Sequence, residues 1–361
     1  MATIFYSLSG EGRGHATRVR AVVEELRKQH RVVIYAPGHA YELLLPVYEG
    51  TDVDVRHIPG LVFHYKECPS TGRRQLDPFK TGIEGLNYIA GYSKLSRRIQ
   101  DDIEAEKPNL VITDFEPALP RVARQVGIPF ISLDHQHFLL VSDLRKLPAD
   151  LQRHAFFMAQ VVRGYYRGQV QTVVSSFYFP PLKPNTQDVS QIGVLLRDEV
   201  LQATPEHGEH IVVYLRRFGS PEVFRALEAC GCEVRIYGLG AQRPTGQLKF
   251  CEIDMHRFIE DLATSRALIS TAGNQLIGEA LYLQKPVLAM PEYCNHEQRI
   301  NGHFLQDSGA GMTVGMEQMQ PLYTRYFMEH CEEFRARIDR KNIHGNTTAL
   351  NIINRYLPGT P

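Results

Sequence analysis

Residues 266–311, RALISTAGNQLIGEALYLQKPVLAMPEYCNHEQRINGHFLQDSGAG, contain the pattern that decides the fold. The short apolar run at 267–269 predicts a buried strand, because turn-favouring residues follow it directly. Apolar residues then recur at helical spacing over 275–284, and Pro286 ends that helix before a second apolar run at 287–290. A strand, a helix and a second strand in this order predict a βαβ unit of an α/β fold.

The turn between the first strand and the helix consists of small or turn-favouring residues at 270–274. Unpaired N–H groups and the helix dipole attract anions, so this turn is a candidate anion site. Glu279 lies in the first turns of the helix, where its carboxylate would reach hydroxyls of a ligand held above the N-terminus. The alternative is that Gly273 only lets the helix pack closely on the strand.

A polar run at 292–298 follows the second strand, at the edge where open α/β sheets bind ligands. A helix predicted over 299–307 then ends at Gly309 and Gly311.

The order of these features resembles the nucleotide-sugar-binding half of GT-B glycosyltransferases. The resemblance rests on a T-x-G-x(5)-E helix ending in Glu279, a strand ending in proline, and a polar loop ending in Glu297 and Gln298. It is to the group that contains the macrolide and plant UDP-glycosyltransferases and the bacterial GlcNAc transferase that makes lipid II. It implies two Rossmann-like domains facing across a cleft. Those families usually carry two glycines where this chain has Ala272 and Gly273, which predicts a slightly altered phosphate turn.

A chain of 361 residues is long enough for two domains. Together with the resemblance, this predicts an N-terminal acceptor-binding domain at 1–185 and a C-terminal nucleotide-sugar-binding domain at 186–340. Residues 341–361 are expected to form a helix that returns to the N-terminal domain. The strand predicted at 189–196 would begin the second domain or its approach, after the proline-rich boundary at 179–184.

The composition excludes several classes of protein. Forty basic and forty acidic residues balance, which argues against bulk nucleic-acid binding. No apolar run approaches the roughly 18–20 residues needed to span a bilayer, and the N-terminus has no basic signal-peptide region. The six cysteines show no zinc or C-x-x-C spacing. We therefore expect a cytoplasmic protein without a cofactor or a bound metal, and contact with a membrane surface stays open.

A glycine-rich loop, SGEGRGH at 9–15, joins a predicted strand at 3–8 to a predicted helix at 16–27. Its G-x-G-x-G spacing differs from the dinucleotide-binding G-x-G-x-x-G, and no acidic residue ends the second strand at 32–36. No Walker lysine follows either, so NAD and ATP are poor candidates.

The end of this loop, with Gly12, Gly14, His15 and Arg18, resembles a loop of the lipid II-forming transferases and of uncharacterised archaeal and bacterial relatives. In GT-B enzymes such a loop faces the acceptor. A neutral imidazole at His15 would take a proton from an acceptor hydroxyl. The alternative is an ordinary polar residue at a helix N-terminus.

Asp114 follows a predicted strand at 110–113. Several plant-type sugar transferases hold an aspartate against the catalytic histidine at this position, where it fixes the tautomer and stabilises the imidazolium. Alternatively, Asp114 caps the next helix.

Another predicted strand, at 130–133, is followed by Asp134, His135 and His137. These side chains suggest either a metal site or a polar loop lining the cleft. No third ligand follows at helical spacing, which favours the loop and makes both histidines candidates for acceptor contacts.

The resemblance also assigns the donor site. The tip of the strand at 209–215 would face the donor phosphates, the turn near 254–258 would hold the nucleobase, and the 270–274 turn the diphosphate. Glu279 would bind the ribose. The predicted donor-binding residues are Arg216, Arg217, Ser220, Ile253, Phe258, Ala272, Gly273, Asn274, Glu279, Glu297 and Gln298. The alternative is that Arg216 and Arg217 are ordinary surface residues without a role in binding.

Two segments are expected to shape the acceptor pocket. Residues 58–86 are predicted to be irregular. Residues 144–169 mix basic and aromatic side chains, which is the composition either of an interfacial helix on an anionic membrane or of a helix at a domain edge. Small-molecule and lipid-linked acceptors are both compatible with these segments.

The resemblance and the residues together predict an inverting, metal-independent glycosyltransferase that moves a sugar from a nucleotide-sugar, expected to be UDP-linked, to a hydroxyl acceptor. His15 would be the general base. The alternatives are a nucleotide-sugar hydrolase, such as those of nonulosonic-acid synthesis, and a non-catalytic nucleotide-sugar-binding protein. A UDP-sugar 2-epimerase shares the fold but carries carboxylates that this chain does not match.

Overall fold

The computed structural model describes residues 1–10, 12–61, 64–67, 74–216 and 218–359. The chain divides into two compact units, Met1–Arg197 with Gly345–Pro361, and Asp198–His344. Each unit has its own parallel sheet flanked by helices, which confirms the predicted α/β class.

The strands are β1 Thr3–Leu8, β2 Arg31–Ala36, β3 Asp54–His57, β4 Tyr65–Glu67, β5 Arg74–Leu76, β6 Leu110–Asp114, β7 Phe130–Asp134, β8 Gln171–Ser175, β9 Val189–Ile192, β10 Ile211–Tyr214, β11 Val234–Tyr237, β12 Leu248–Cys251, β13 Ala267–Ser270, β14 Val287–Ala289 and β15 Gly311–Thr313. The helices are α1 Arg13–Leu26, α2 Gly38–Tyr48, α3 Pro78–Glu106, α4 Ala118–Gln125, α5 Phe138–Val141, α6 Ala149–Tyr165, α7 Asp198–Gln202, α8 Pro221–Glu228, α9 Met255–Thr264, α10 Asn274–Tyr282, α11 His296–Ser308, α12 Pro321–Glu329, α13 Cys331–Ala336 and α14 Asn346–Asn354.

The first unit has a seven-stranded sheet in the order β3-β2-β1-β6-β7-β8-β9. The chain builds outward from β1 in one direction and then from β6 in the other, so the strand order reverses between β1 and β6. Ligands of open α/β sheets bind at the carboxyl ends of the two strands at such a switch point. The loop before His15 follows β1, and Asp114 is the last residue of β6.

The strand β9 corrects the predicted domain organisation. It pairs with β8 in the first sheet, so Val189–Ile192 does not begin the second domain. The prolines before it do not form a linker, because Asp143 N–H donates to the Pro181 carbonyl and Lys183 N–H to the Val141 carbonyl. These bonds fold the proline stretch back onto the first unit, and the division falls after Arg197 rather than after residue 185.

The final helix α14 packs into the first unit. Ala349, Ile352 and Ile353 lie in the same buried cluster as Val19 and Val22 of α1. Asn346 fastens the start of the helix, since its side chain both accepts from Leu196 N–H at 2.8 Å and donates to the Leu196 carbonyl at 2.6 Å. The C-terminal segment is therefore part of the core of the first unit.

The segment predicted to be irregular contains more structure than expected. The strands β4 and β5 pair antiparallel, and α3 begins at Pro78. Asp77 caps α3 by accepting from the N–H groups of Phe79 and Lys80, both at 3.1 Å. An Asp N-cap followed by proline is a strong start signal, and it places the end of this segment, from Pro78 onward, in a helix.

The second unit has a six-stranded parallel sheet in the order β12-β11-β10-β13-β14-β15. Its strand order reverses between β10 and β13, so the carboxyl ends of these two strands are the expected ligand edge. Residues 215–220 follow β10, and the turn at 271–273 follows β13. Both predicted phosphate-binding segments therefore lie at the switch point of this sheet.

Candidate active site

The carboxylate of Asp114 connects the two segments at the switch point of the first unit. The two segments are also joined by a backbone hydrogen bond, which Ser9 N–H donates to the Asp114 carbonyl at 2.9 Å. Gly12 precedes α1 with a φ of 73°, a left-handed conformation that favours glycine, and places His15 in the first turn of the helix. His15 Nδ1 then lies 3.0 Å from Asp114 Oδ1. The structure thus brings together the predicted histidine and aspartate.

Arg18, one turn after His15, binds the same carboxylate. Its Nε donates to Asp114 Oδ2 at 2.9 Å and its Nη2 to Oδ1 at 2.6 Å, a bidentate pair. Asp114 is fully buried, and the side chain of Arg18 is only 4% exposed. Burial alone would lower the pKa of Arg18, but the charge and hydrogen bonds of Asp114 outweigh it and raise that pKa. Arg18 is therefore a charged partner of Asp114.

The alternative role for Asp114, as a helix cap, belongs to another residue. Glu116 Oε1 and Oε2 accept from the N–H groups of Ala118 and Leu119, at 2.7 and 2.9 Å. These are the first two residues of α4, so Glu116 satisfies the start of that helix and leaves Asp114 to His15 and Arg18.

His135 and His137 make separate contacts and form no common site. His135 is buried, with Nδ1 3.2 Å from the Ser175 carbonyl and Nε2 3.3 Å from the Tyr178 hydroxyl. His137 is also buried, and its Nδ1 lies 2.7 Å from Asp134 Oδ2. Across the part of the chain that the structure describes, no group of three or more His, Cys, Asp or Glu side chains is arranged to hold a metal ion.

His137 and His15 lie on opposite faces of the first sheet. Asp114 faces α1, whereas His137 stacks on Tyr166, which packs edge-on against Phe130 on the other face. An acceptor role for His137 therefore stays a prediction, and it would involve a different surface from that of His15.

In the second unit, the turn between β13 and α10 has an unusual backbone. Ala272 has a φ of 60° and is fully buried, so a residue with a side chain adopts a conformation that normally favours glycine. Gly273 has an ordinary φ of −71°, and a Cβ built there would meet no atom within 4 Å. Packing thus does not explain why residue 273 is a glycine, and the alternative role of close packing is not supported. Gly273 is also the N-cap of α10, a position that favours glycine over alanine.

Polar side chains surround this turn. Ser270, Asn274 and Glu279 are each at most 5% exposed. Glu279 Oε1 accepts from Gln275 Nε2 at 3.1 Å, one turn earlier on α10. The Ser270 hydroxyl, at the end of β13, is buried without a hydrogen-bond partner among the residues that the structure describes. A buried hydroxyl without a hydrogen-bond partner lowers the stability of the folded protein, and a bound polar ligand or a water molecule would remove this penalty.

The tip of β10 and the start of α11 are linked through Glu292. Arg216 Nη1 lies 3.9 Å from Glu292 Oε2, a long ion pair, and Gln298 Nε2 donates to the same oxygen at 3.2 Å. Gln298 Oε1 accepts from Glu292 N–H at 2.7 Å.

Ser220 caps α8 by accepting from Val223 N–H at 3.3 Å. Arg217, which was also predicted to bind the donor, lies outside the residues that the structure describes.

Two residues predicted to contact the donor, Glu297 and Gln298, lie in a different structural element from the one expected. Glu297 and Gln298 lie in the first turn of α11 and not in a loop, because Asn295 caps the helix by accepting from Gln298 N–H. Glu297 is exposed, whereas the amide of Gln298 is held by Glu292.

For the nucleobase, Phe258 is buried edge-on against Tyr214 and Tyr237, while Ile253 is half-buried. Ile253 is thus the more accessible of the two predicted base contacts.

Sequence reasoning assigned no role to Arg18, Glu292 or Asn301. The spacing of Arg18 from His15, three residues on one helix, was a usable signal because such side chains share a face. No comparable sequence signal links Asn301 to Ala272 or Glu292 to Arg216, since the fold makes those contacts.

No helix among the residues described by the structure is long and apolar enough to cross a bilayer.

Several solved structures with the same architecture are glycosyltransferases. The calicheamicin glycosyltransferase CalG4 is 18% identical with a TM-score of 0.68, and the alignment covers 100% of both chains. UGT2 of Phytolacca americana, solved with UDP-2-fluoro-glucose and pterostilbene, is 15% identical with a TM-score of 0.69, over 98% of this chain and 100% of that one. MurG of Acinetobacter baumannii is 15% identical with a TM-score of 0.61, over 98% and 100%. The fold is therefore GT-B.

The sequence itself matches the model of glycosyl transferase family 1 over residues 2–331, and the chain belongs to that family. It is a glycosyltransferase. No curated protein matches the sequence significantly.

Proposed function

We propose that this glycosyltransferase is inverting and metal-independent, and that it moves a sugar from a UDP-sugar donor to a hydroxyl group of an acceptor, with His15 as general base. The observation that carries the proposal is the 3.0 Å contact between His15 Nδ1 and the buried Asp114 carboxylate. A proton on Nδ1 that is donated to Asp114 leaves the lone pair on Nε2, where it accepts the acceptor's proton.

The second unit would hold the donor. Backbone N–H groups at Ala272, Gly273 and Asn274 would bind the diphosphate at the N-terminus of α10. Support comes from the empty space at Gly273, which a phosphate approaching the backbone requires. Glu279 would accept hydrogen bonds from the ribose hydroxyls.

Arg216 would stabilise the negative charge that develops on the leaving diphosphate, as metal ions do in other transferases. Its side chain is 29% exposed and its contact with Glu292 is long, so it is available to an anionic ligand. The sugar-binding roles of Glu297 and Gln298 stay proposals, and Gln298 would have to release Glu292 to fulfil its role.

UDP as the nucleotide has indirect support. Three of the similar structures are complexes that contain UDP or a UDP-sugar, one of them the Phytolacca enzyme. The test is to incubate the protein with UDP-sugars and a panel of hydroxyl acceptors and to measure UDP release. Release that requires an acceptor and is lost in His15→Ala supports the proposal. Acceptor-dependent release by His15→Ala at the wild-type rate contradicts it.

We also propose that α6 contacts an anionic membrane, which suits a lipid-linked acceptor. Phe156, Phe157 and Val161 are 65%, 66% and 43% exposed, and Arg153 and Arg163 are exposed on the same helix. Apolar side chains beside arginines are the composition of a membrane-surface helix. The protein should co-sediment with phosphatidylglycerol vesicles more than with phosphatidylcholine vesicles because of its arginines, and Phe156→Ser with Phe157→Ser should lower its recovery with phosphatidylglycerol vesicles. Equal recovery with both vesicles would refute the contact.

A further inference from the structure

Three charged or titratable groups meet in one buried cluster at the start of α1. Asp114 Oδ1 and Arg18 Nη2 each lie 3.0 Å from His15 Nδ1, and they lie 2.6 Å from each other. The ring nitrogen therefore has a full negative and a full positive charge at the same distance.

The surroundings keep both charges in place. Asp114 is fully buried, and the side chains of Arg18 and His15 are 4% and 11% exposed, so water screens these interactions little. Two hydrogen bonds from Arg18 hold the carboxylate in one orientation. Geometry and burial thus fix the distances on which the balance of charge depends.

Other charged or titratable groups face this cluster from the neighbouring strands. Tyr6 on β1 and Asp134 on β7 both interact electrostatically with Arg18. Burial raises the pKa of Tyr6 far above its ordinary value, so this phenol stays neutral. Asp134 is fully buried and accepts hydrogen bonds from His137, Ser132 and Tyr166. Among the residues that the structure describes, Asp114 and Arg18 are thus the charges in direct contact with His15.

A lone aspartate at this position would strongly favour the protonated imidazolium, which is not a base. Arg18 opposes that attraction. Arg18 therefore acts on the protonation state of His15, whereas Asp114, by accepting the Nδ1 proton, sets the tautomer that a histidine base needs.

We propose that Arg18 is a positioning residue that cancels the electrostatic pull of Asp114 on a proton at His15, so that Asp114 orients the imidazole without holding it protonated. The effect of Arg18 on catalysis rests on the proposed function, because it requires His15 to be the general base. The charge balance itself is independent of any reaction.

The test is an NMR titration of the His15 ring in the full-length protein, with the His15 signals assigned by comparison with His15→Gln. In Arg18→Met the midpoint of the titration should rise by at least one pH unit relative to the wild type, a tenfold change in proton affinity. Arg18→Lys keeps the charge and should shift the midpoint less. Arg27→Met, at the other end of α1, is the matched control and should leave the midpoint unchanged.

Arg18→Met leaves a buried carboxylate unpaired and could prevent folding, so a second variant is needed. Asp114→Asn keeps one oxygen, which can still accept from Arg18 Nη2 and His15 Nδ1, and leaves the Arg18 charge unopposed, so the midpoint of its titration should fall by at least one pH unit. A midpoint in Asp114→Asn, or in folded Arg18→Met, that equals the wild-type value overturns the inference.

Kinetics separates the inference from the proposed function. If His15 is the base, the acid limb of the pH profile of kcat/KM moves with the NMR midpoint in Asp114→Asn. A shifted NMR midpoint with an unshifted kinetic limb upholds the charge balance and contradicts the assignment of His15 as the base.

Discussion

Asn301 of α11 donates its side-chain Nδ2 to the carbonyl of Ala272 at 3.0 Å. Both residues are fully buried, and the bond spans the turn in which Ala272 adopts a φ of 60°. A left-handed conformation costs a residue with a side chain about 1–2 kcal/mol, so the turn needs such support from its surroundings. Asn301 thus fixes the shape of the proposed phosphate turn from a helix 29 residues further along the chain.

Gly273→Ala should separate ligand binding from stability. Nothing lies within 4 Å of the added methyl and the φ is ordinary, so the lower unfolded-chain entropy of alanine opposes the preference of the α10 N-cap for glycine. The free energy of unfolding should therefore change by no more than about 1 kcal/mol. The methyl would nevertheless occupy the space proposed for the diphosphate, and UDP affinity should fall at least about tenfold.

Ala272→Gly is the matched control, since glycine accepts the left-handed φ at that position and UDP affinity should remain within about threefold of the wild type. Calorimetric titration and denaturant unfolding measure the two effects. Unchanged UDP affinity in Gly273→Ala would place the diphosphate elsewhere.

His15→Ala should lower kcat by about 10²- to 10⁴-fold, the range for a positioned general base. Nucleotide affinity should not change, since the donor is proposed to bind in the other unit. His39→Ala is the control, because His39 is exposed and pairs only with Glu42 in the part of the chain that the structure describes. The measurement is the steady-state rate of UDP release with a saturating acceptor. A loss of less than tenfold would remove His15 from the role of base.

Release of sugar without an acceptor distinguishes a transferase from a nucleotide-sugar hydrolase. The account predicts that UDP release in acceptor-free buffer is at least about 100-fold slower than with the acceptor, because an activated water would have to replace a bound hydroxyl. Chromatography of the nucleotide products over time measures this. Acceptor-free release as fast as the reaction with the best acceptor would favour the hydrolase alternative.

Asp134→Asn should reduce stability at neutral pH by about 3 kcal/mol, because it disrupts a buried, hydrogen-bonded carboxylate. Burial alone would raise the pKa of Asp134, but His137 and the bonds from Ser132 hold it well below the ordinary value of 3.8. A depressed folded-state pKa contributes stability that is present above pH 3.8 and is lost as the pH falls further.

The difference between the wild type and Asp134→Asn should therefore shrink between about pH 4 and pH 2. Denaturant unfolding at pH 7, 4 and 2.5 tests this, with Asp52→Asn as an exposed control that should have little effect at any pH. A difference that stays constant down to pH 2.5 would contradict the assigned ionisation of Asp134.

Apolar runs and glycine-rich turns predicted most of the strands and both ligand-binding edges. The contact between His15 and Asp114 was also predicted, through the resemblance, although the two residues are 99 positions apart. Arg18 lay within the same sequence pattern, but its part in the charge balance depends on burial and on a carboxylate contributed by β6. Sequence alone does not specify either of these.

The structure differs from the sequence-based predictions at several places, and only some of these differences had a signal in the sequence. Asn295 and Gln298 follow the N-x-x-Q capping pattern, which was an available signal that α11 begins at His296. The prolines before β9 suggested a linker, and only tertiary hydrogen bonds to Val141 and Asp143 show that they fold back. The left-handed φ of Ala272 had one sequence signal, since the resembling families usually carry a glycine there, but no signal pointed to its support by Asn301.

The measurement that tests the central claim most directly is a calorimetric panel of UDP, TDP, GDP and ADP, each with and without an attached sugar, on the wild type and on Glu279→Ala. The account predicts that UDP and its sugars bind most tightly, and that Glu279→Ala weakens them at least about tenfold through the lost contact with the ribose. No binding of any nucleotide, or binding that Glu279→Ala leaves unchanged, would contradict the proposed donor site.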